Sequence, residues 1–271
     1  MKTLLQDFLD ERELYDKTLN ITGLISINQH NLKSDGRGLR GMKIFTRQTL
    51  TAFSLDKLLP RPNINNPENN EFWDISSIAS LTRNLIEGYL SLHFYGLEKI
   101  STEEADLRYV IQQFHRNTEW YNISKEDPDA DLSEFINGLP EQKERIKNHP
   151  YLDKLNPIQK KRALRGIEIY KTKADFENEI SICTDLRKIY RLLSNLVHPL
   201  PLSVERVDNK KGRGIRNRND IYYSIVSIMV ARKFLAASTL GIADCFQNSL
   251  GKKFKNEIDS IRPLINTGFE R

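Results

Sequence analysis

The sequence predicts an all-α protein built as one multi-helix bundle. Three observations carry that expectation. Apolar residues recur at three- and four-residue spacing over long stretches. Capping residues stand before many of those stretches, and glycine or proline stands behind them. β-branched residues do not cluster at period two between turn signals, so strands find no support. At 271 residues, 39% apolar and 28% charged, the chain can bury a substantial core. It is too apolar for a disordered protein.

Leu4, Leu5, Phe8, Leu9, Leu14, Tyr15 and Leu19 predict a first helix over 3–27. Polar, glycine-rich residues follow from 29 to 41. A second helix is expected over 42–58, stopped by Pro60 and Pro62, which cannot continue the backbone ladder. Three prolines and five asparagines make 60–70 a loop. The next helix starts at a cap, Asp74 or Ser76, and runs through Leu81, Leu85, Ile86, Tyr89, Leu90 and Leu92 to Gly96, a suitable C′ residue. Ser101 and Glu104 have capping-box spacing and open a helix reaching about Tyr121.

An acidic loop around Pro128 leads to a charged helix over 132–148, with a break expected at Gly138-Leu139-Pro140. Asn156 as cap and Pro157 at the first helical position predict a helix over 157–170. A long helix over 174–197 ends at His198, because Pro199 disfavours helical geometry in the residue before it. Pro199 and Pro201 open a loop, 210–218 is a basic loop, 220–246 is a long apolar helix, and 252–266 closes the chain. There is no internal repeat. No linker isolates two cores, so 1–271 reads as a single domain, with 60–70 as the boundary candidate.

Cys183 and Cys245 form no CxxC pair and sit in apolar helical patterns, so two buried free thiols are expected. Charge arrives too early after Met1 for a signal peptide. The apolar stretch 75–95 is interrupted by Arg83, Asn84, Glu87 and His93, whereas a membrane span needs about 20 nearly uninterrupted apolar residues. The reading is a cytoplasmic protein with no membrane partner. The 41 basic and 36 acidic residues leave a formal charge of +5, which permits nucleic-acid contact without demanding it. Acidic residues gather around 126–144, and positive charge gathers in 33–43 and 210–218.

Four groups of residues bear on chemistry. Gly36-Arg37-Gly38-Leu39-Arg40-Gly41 has dinucleotide-fingerprint spacing, but the residues before it are polar and no β-α-β pattern follows. It reads as a flexible turn exposing Lys33, Arg37, Arg40 and Lys43, available to nucleic-acid phosphates. Arg83 and Glu87 lie four apart on one face of an apolar helix, in the less favourable order for an isolated pair, which points to tertiary partners. Arg191, Ser194 or Asn195, and His198 share one helical face near a helix end. Arg191 and His198 are separated by about 10 Å along the axis. A histidine there suits proton transfer and an arginine suits a phosphorane. Finally, Lys210, Lys211, Arg213, Arg216 and Arg218 place five basic residues in nine, a pattern able to track a phosphate backbone.

Arg-x6-His at the end of a long helix in an all-α chain resembles the HEPN superfamily, whose loose signature is an arginine, four to six residues, then a histidine. The wider pattern is similar to bacterial all-helical relatives of that group. It pairs Ser80 to Glu87 on an early helix with Tyr190 to His198 on a late one. The resemblance covers 72–246 as a HEPN-like core, with 1–59 as an N-terminal helical extension. It implies a metal-independent endoribonuclease or RNA-binding protein of a bacterial phage-defence or toxin–antitoxin system. Its partners would be RNA and either a second copy, which brings two motifs together, or an antitoxin-like protein. In that reading His198 exchanges the proton of a ribose 2′-hydroxyl or the leaving oxygen. Arg191 neutralises the phosphorane, Ser194 or Asn195 orients phosphate or imidazole, and Arg83 and Glu87 complete the pocket. The alternative is a non-catalytic helical interaction module whose polar residues form core ion pairs. No cluster of Asp, Glu, His and Cys has ligand spacing, so neither a metal nor a cofactor is expected.

Overall fold

The computed structural model describes residues 3–62, 72–183, 185–199, 201–205 and 217–267. Among the described residues there are eleven α-helices and no β-strand. They are α1 Leu4–Ile27, α2 Gly36–Leu58, α3 Ile75–Leu92, α4 Thr102–Ser124, α5 Ser133–Lys147, α6 Pro157–Leu164, α7 Lys173–Glu179, α8 Leu186–Val197, α9 Pro201–Val204, α10 Arg218–Cys245 and α11 Lys255–Ile261. The expected all-α bundle is therefore the architecture observed. Two compact units divide it: Met1–Leu97 with Ile180–Arg271, and Glu98–Glu179.

The first unit is organised around α10. This 28-residue helix has an 18-residue window of mean hydropathy 1.6, apolar enough to cross a membrane, yet 72% of that window is buried. Its neighbours explain the burial. One apolar cluster joins Ile221, Ile225, Ile228 and Leu235 to Phe8, Tyr15, Leu55, Trp73 and Ile78. A second joins Leu240, Ile242 and Ala243 to Ile25, Phe45, Leu92 and the C-terminal Ile258 and Ile261. Nonpolar surface on α1, α2 and α3 thus finds its complement on α10, which is why α10 is apolar nearly all round.

Buried cations pin the edges of this unit. Arg12 donates to the Asp56 carboxylate at 2.8 Å and to the backbone carbonyls of Leu59 and Pro60. It thereby fastens α1 to the end of α2. Arg232, almost wholly buried, donates to Glu11 and to the carbonyls of Leu264 and Thr267, fastening α10 to α1 and to the chain end.

The α2 boundary corrects the flexible-turn expectation. Asp35 caps the helix, accepting from Gly38 N at 2.8 Å, and α2 begins at Gly36. The glycines therefore form its first turns. Gly41 has a packing reason: a Cβ on Gly96 would lie 3.0 Å from Gly41 Cα. The two glycines let α2 approach the π-helical turn His93–Leu97 that follows α3. Gly96 accordingly sits within that turn and does not end the helix as a C′ residue.

In the second unit, Ser101 caps α4 as expected. Buried Arg108 bridges Glu98 at 2.8 Å and Glu104, beside the Tyr170 ring. The break expected in α5 does not occur. Pro140 lies inside the helix on an exposed position, where the lost ladder bond faces water. α6 is shorter than expected because Gly166 turns into the left-handed region at φ +69°, where a Cβ would also strike the Phe114 ring.

The long helix expected over 174–197 is two helices, α7 and α8. Ile180, Ser181, Ile182 and Cys183, β-branched or short and polar, interrupt it, since such side chains are weak helix formers. The cysteine expectation is corrected as well. Neither is in a disulfide, but Cys183 is half-buried in that interruption and Cys245 is exposed.

Candidate functional site

α8 starts after the interruption and stops where Pro199 forces His198 into extended backbone, ψ 148°. Leu186, Leu193 and Leu196 seat it on the first unit's core. It runs against α3 in the opposite direction. Ser76 near the start of α3 donates to the Val197 carbonyl at 2.8 Å, while Arg83 further along α3 meets Tyr190.

The Arg83 contact is a partly exposed network that leaves the Arg83 Nε without a partner among the described residues. Its guanidinium donates to Tyr190 Oη at 2.6 Å, lies over the Tyr190 ring at 4.7 Å, and reaches Glu87 at 3.4 Å. Tyr190 Oη in turn donates to Glu87. Burial opposes the Arg83 cation, yet the Tyr190 hydrogen bond and the Glu87 carboxylate outweigh it, and the pKa is raised. Burial and the bond to Glu87 likewise raise Tyr190. The tertiary partner expected for Arg83 and Glu87 is thus Tyr190. Eight residues separate Tyr190 from His198, about 12 Å along α8. Arg83 and Glu87 are not among the residues around His198, which corrects the expectation that they complete its pocket.

His198 lines a cleft of about 460 Å³. Its walls include Phe72, Trp73, Asp74 and Ser76 before and within the first turn of α3, Leu196 and Val197 at the end of α8, Ser203 and Val204 of α9, and Asn217 and Asp220 at the start of α10. The wall from α3 is fixed by its cap. Asp74 accepts from Ser77 N, and Trp73 and Ile78, one position before the cap and four after it, are buried in the same cluster as a hydrophobic staple. Asn217 caps α10, accepting from Asp220 N at 2.9 Å, while its amide donates to the Asp220 carboxylate at 2.6 Å.

Arg191 and His198 are both exposed, and neither side chain has a partner among the described residues. Ser194 and Asn195 differ. Ser194 Oγ donates to the Tyr190 carbonyl and Asn195 Nδ2 to the Arg191 carbonyl, each at 2.8 Å. These donors are spent on their own helix, so the structure does not display them in the orienting roles expected.

Arg37 and Arg40 also depart from the expected exposed turn. Arg37 donates to the Tyr95 carbonyl and Arg40 lies over the Tyr95 ring at 5.2 Å, both on α2. Arg218 is exposed in the first turn of α10. Lys210, Lys211, Arg213 and Arg216 lie outside the described residues. Val204 and Asp220, which come before and after the basic run 210–218 in the sequence, both line the cleft.

Sequence reasoning missed Tyr190, Phe72, Trp73 and Asp74 as site neighbours. A signal existed for two of them. Trp73 and Ile78 straddle Asp74 with staple spacing, which places an aromatic at the mouth of α3. Comparison with protein families, with characterised proteins and with solved structures yields no match.

Proposed function

We propose that the chain is a metal-independent endoribonuclease of a bacterial defence or toxin system, acting in the cytoplasm as a homodimer. One observation supports this most. Arg191 and His198 stand exposed near the end of α8 with no side-chain partner among the described residues, and His198 opens on a cleft whose lining residues Val204 and Asp220 flank the basic run 210–218. In the proposed reaction His198 takes the proton of a ribose 2′-hydroxyl. The 2′-oxygen attacks the adjacent phosphorus, and the bond from phosphorus to the 5′-oxygen breaks. The leaving oxygen is protonated by an imidazolium, giving a 2′,3′-cyclic phosphate and a 5′-hydroxyl. Arg191 offsets charge on the phosphorane. The roughly 10 Å of helix between the two side chains is why a second copy is part of the reading. Its Arg191 would supply charge at a phosphate held by the first copy's His198.

The test is cleavage of single-stranded RNA by purified protein in EDTA. Expected is cleavage that persists in EDTA and falls by at least about 100-fold in His198→Ala with an unchanged circular dichroism spectrum. Unchanged cleavage in that variant contradicts the assignment.

A second reading, the non-catalytic interaction module, is favoured by the mutual bonding of Arg83, Glu87 and Tyr190 and by the carboxylates of Asp74 and Asp220 in the cleft. It predicts no cleavage by the native chain.

A further inference from the structure

Away from the His198 cleft, two surfaces combine uncovered apolar side chains with unpaired charges of opposite sign. The first is the outer face of α2. Lys43, Arg47, Leu50 and Lys57 follow one another at four-, three- and seven-residue spacing, which puts them on one face, and Phe53 flanks them. All five are exposed, Leu50 by 64%. None of the three cations has a side-chain partner among the described residues. Asp56, the one carboxylate within α2, is bonded to Arg12. From Lys43 to Lys57 the face runs about 21 Å.

The second surface is the loop end of the helix pair α4 and α5. Asn117 on α4 donates to Gln142 on α5 at 3.2 Å, which sets the two helices side by side. Ile123 and Ile136 each lie six residues closer to the connecting loop than that bond. Ile123 is 66% exposed, and Trp120 and Ile136 are exposed with it. Residues 119–137 hold Glu119, Glu126, Asp127, Asp129, Asp131 and Glu134 against one lysine, Lys125. All six acidic residues are exposed, and none meets a cation among the described residues. Asp127 and Asp131 accept from the nearby backbone amides of Asp129 and Ser133.

Single exposed apolar residues are ordinary, but grouped among unpaired charges of one sign they mark a contact surface. The two groups match in chemistry. Each offers apolar area, and the charges of one answer those of the other. An anionic lipid surface would satisfy α2 and leave the acidic end unexplained, whereas a second copy of the chain accounts for both. Repulsion between like charges disfavours α2 against α2 and acidic end against acidic end.

We propose that the outer face of α2 in one copy docks on the loop end of α4 and α5 in another. Leu50 and Phe53 cover Trp120, Ile123 and Ile136, and Lys43, Arg47 and Lys57 meet the surrounding carboxylates. Such a contact is head to tail. It leaves a free α2 face on one copy and a free acidic end on the other, so addition continues into a ring or a filament. The contact does not involve α8 and is independent of the endoribonuclease reading.

Two charge-reversed chains test it. Lys43→Glu with Arg47→Glu reverses the α2 face, and Glu126→Lys with Asp129→Lys reverses the acidic end. All four side chains are exposed and without a partner among the described residues, so both chains should keep the native circular dichroism spectrum. Association is followed by fluorescence anisotropy with one chain dye-labelled, in about 50 mM and about 500 mM sodium chloride. Expected is self-association of the native chain that weakens at least about 10-fold at the higher salt. Each reversed chain should bind itself at least about 10-fold more weakly than the native chain does, while the two reversed chains should bind each other about as the native chain binds itself. A dimer formed through α8 contributes equally to like and mixed pairs and drops out of that comparison. Trp120→Ala should weaken native self-association by about 5-fold or more. Like pairs as tight as the mixed pair, association indifferent to salt or to Trp120→Ala, or no association of the native chain overturns the proposal. Binding to phosphatidylserine vesicles that is lost on reversal of the α2 face, with no preference for the mixed pair, overturns it in favour of a lipid surface.

Discussion

On the inner face of α8, Tyr190 is gripped by Arg83 and Glu87; one residue further on, Arg191 leaves the exposed face with no partner among the described residues. The same contrast separates Ser194 and Asn195, whose donors bond their own helix, from His198, whose ring borders open space. Elsewhere, cations buried more deeply than Arg83 are paired as well. Arg12, Arg108 and Arg232 each meet at least one carboxylate and either a backbone carbonyl or a tyrosine. Burying a charge requires such partners. The difference teaches that the polar residues of this chain fall into two groups. One is bonded across helices and holds them in register; the other is exposed, with no side-chain partner among the described residues.

Stability measurements can break or sharpen this division. The largest effect is expected at Arg232, where Arg232→Ala strands a buried Glu11 carboxylate and frees the chain end. It should cost about 3–5 kcal/mol in denaturant unfolding; a loss under about 1 kcal/mol would contradict its place in the bonded group.

A smaller effect is expected from Tyr190→Phe, which removes one hydroxyl from the Arg83 and Glu87 network. It should cost about 1 kcal/mol, seen as a shift of the urea midpoint with an unchanged slope.

Glu11 and Glu104 sharpen the bonded group by pH. At Glu11 burial outweighs the pull of Arg232, and its pKa is raised above 4.5. At Glu104 burial is outweighed by hydrogen bonds from Tyr151 and Tyr170 and by Arg108, and its pKa is lowered below 4.5. The stabilisation from Glu104 is therefore present above pH 4.5 and is lost as pH falls through its folded value. Glu11 acts oppositely: its folded form binds a proton more tightly, so its contribution is full below pH 4.5 and is lost as pH rises through its folded value. On acidification the native chain should lose stability relative to Glu104→Gln and gain it relative to Glu11→Gln. Parallel curves for the two variants would contradict the assignment.

The smallest stability effect belongs to Arg191→Ala, expected within about 0.5 kcal/mol of the native chain. A larger loss by thermal unfolding would move Arg191 into the bonded group.

Helix existence was legible because caps and apolar periodicity are local. Thr3, Ser101, Asn156 and Pro157 mark starts that the structure keeps. The misread boundaries depend on tertiary contacts that a local pattern does not encode. The close approach of Gly41 and Gly96 lets α2 begin at a glycine-rich run, and the space demanded by Phe114 ends α6 at Gly166. The candidate site was half legible. Arg191 and His198 share a helix, so their common exposure follows from spacing. Trp73 and Asp74 line the same cleft as His198 because α3 and α8 run in opposite directions with Ser76 bonded to Val197, a pairing 121 residues apart in sequence.

The division of α8 is tested most directly by one RNA-cleavage assay in EDTA comparing the native chain, His198→Ala and Tyr190→Phe, each with its thermal midpoint. The expected result is a loss of about 10²–10⁴-fold in His198→Ala at an unchanged midpoint, with Tyr190→Phe retaining cleavage at a lowered midpoint. Undiminished cleavage in His198→Ala would contradict the functional assignment of the exposed face.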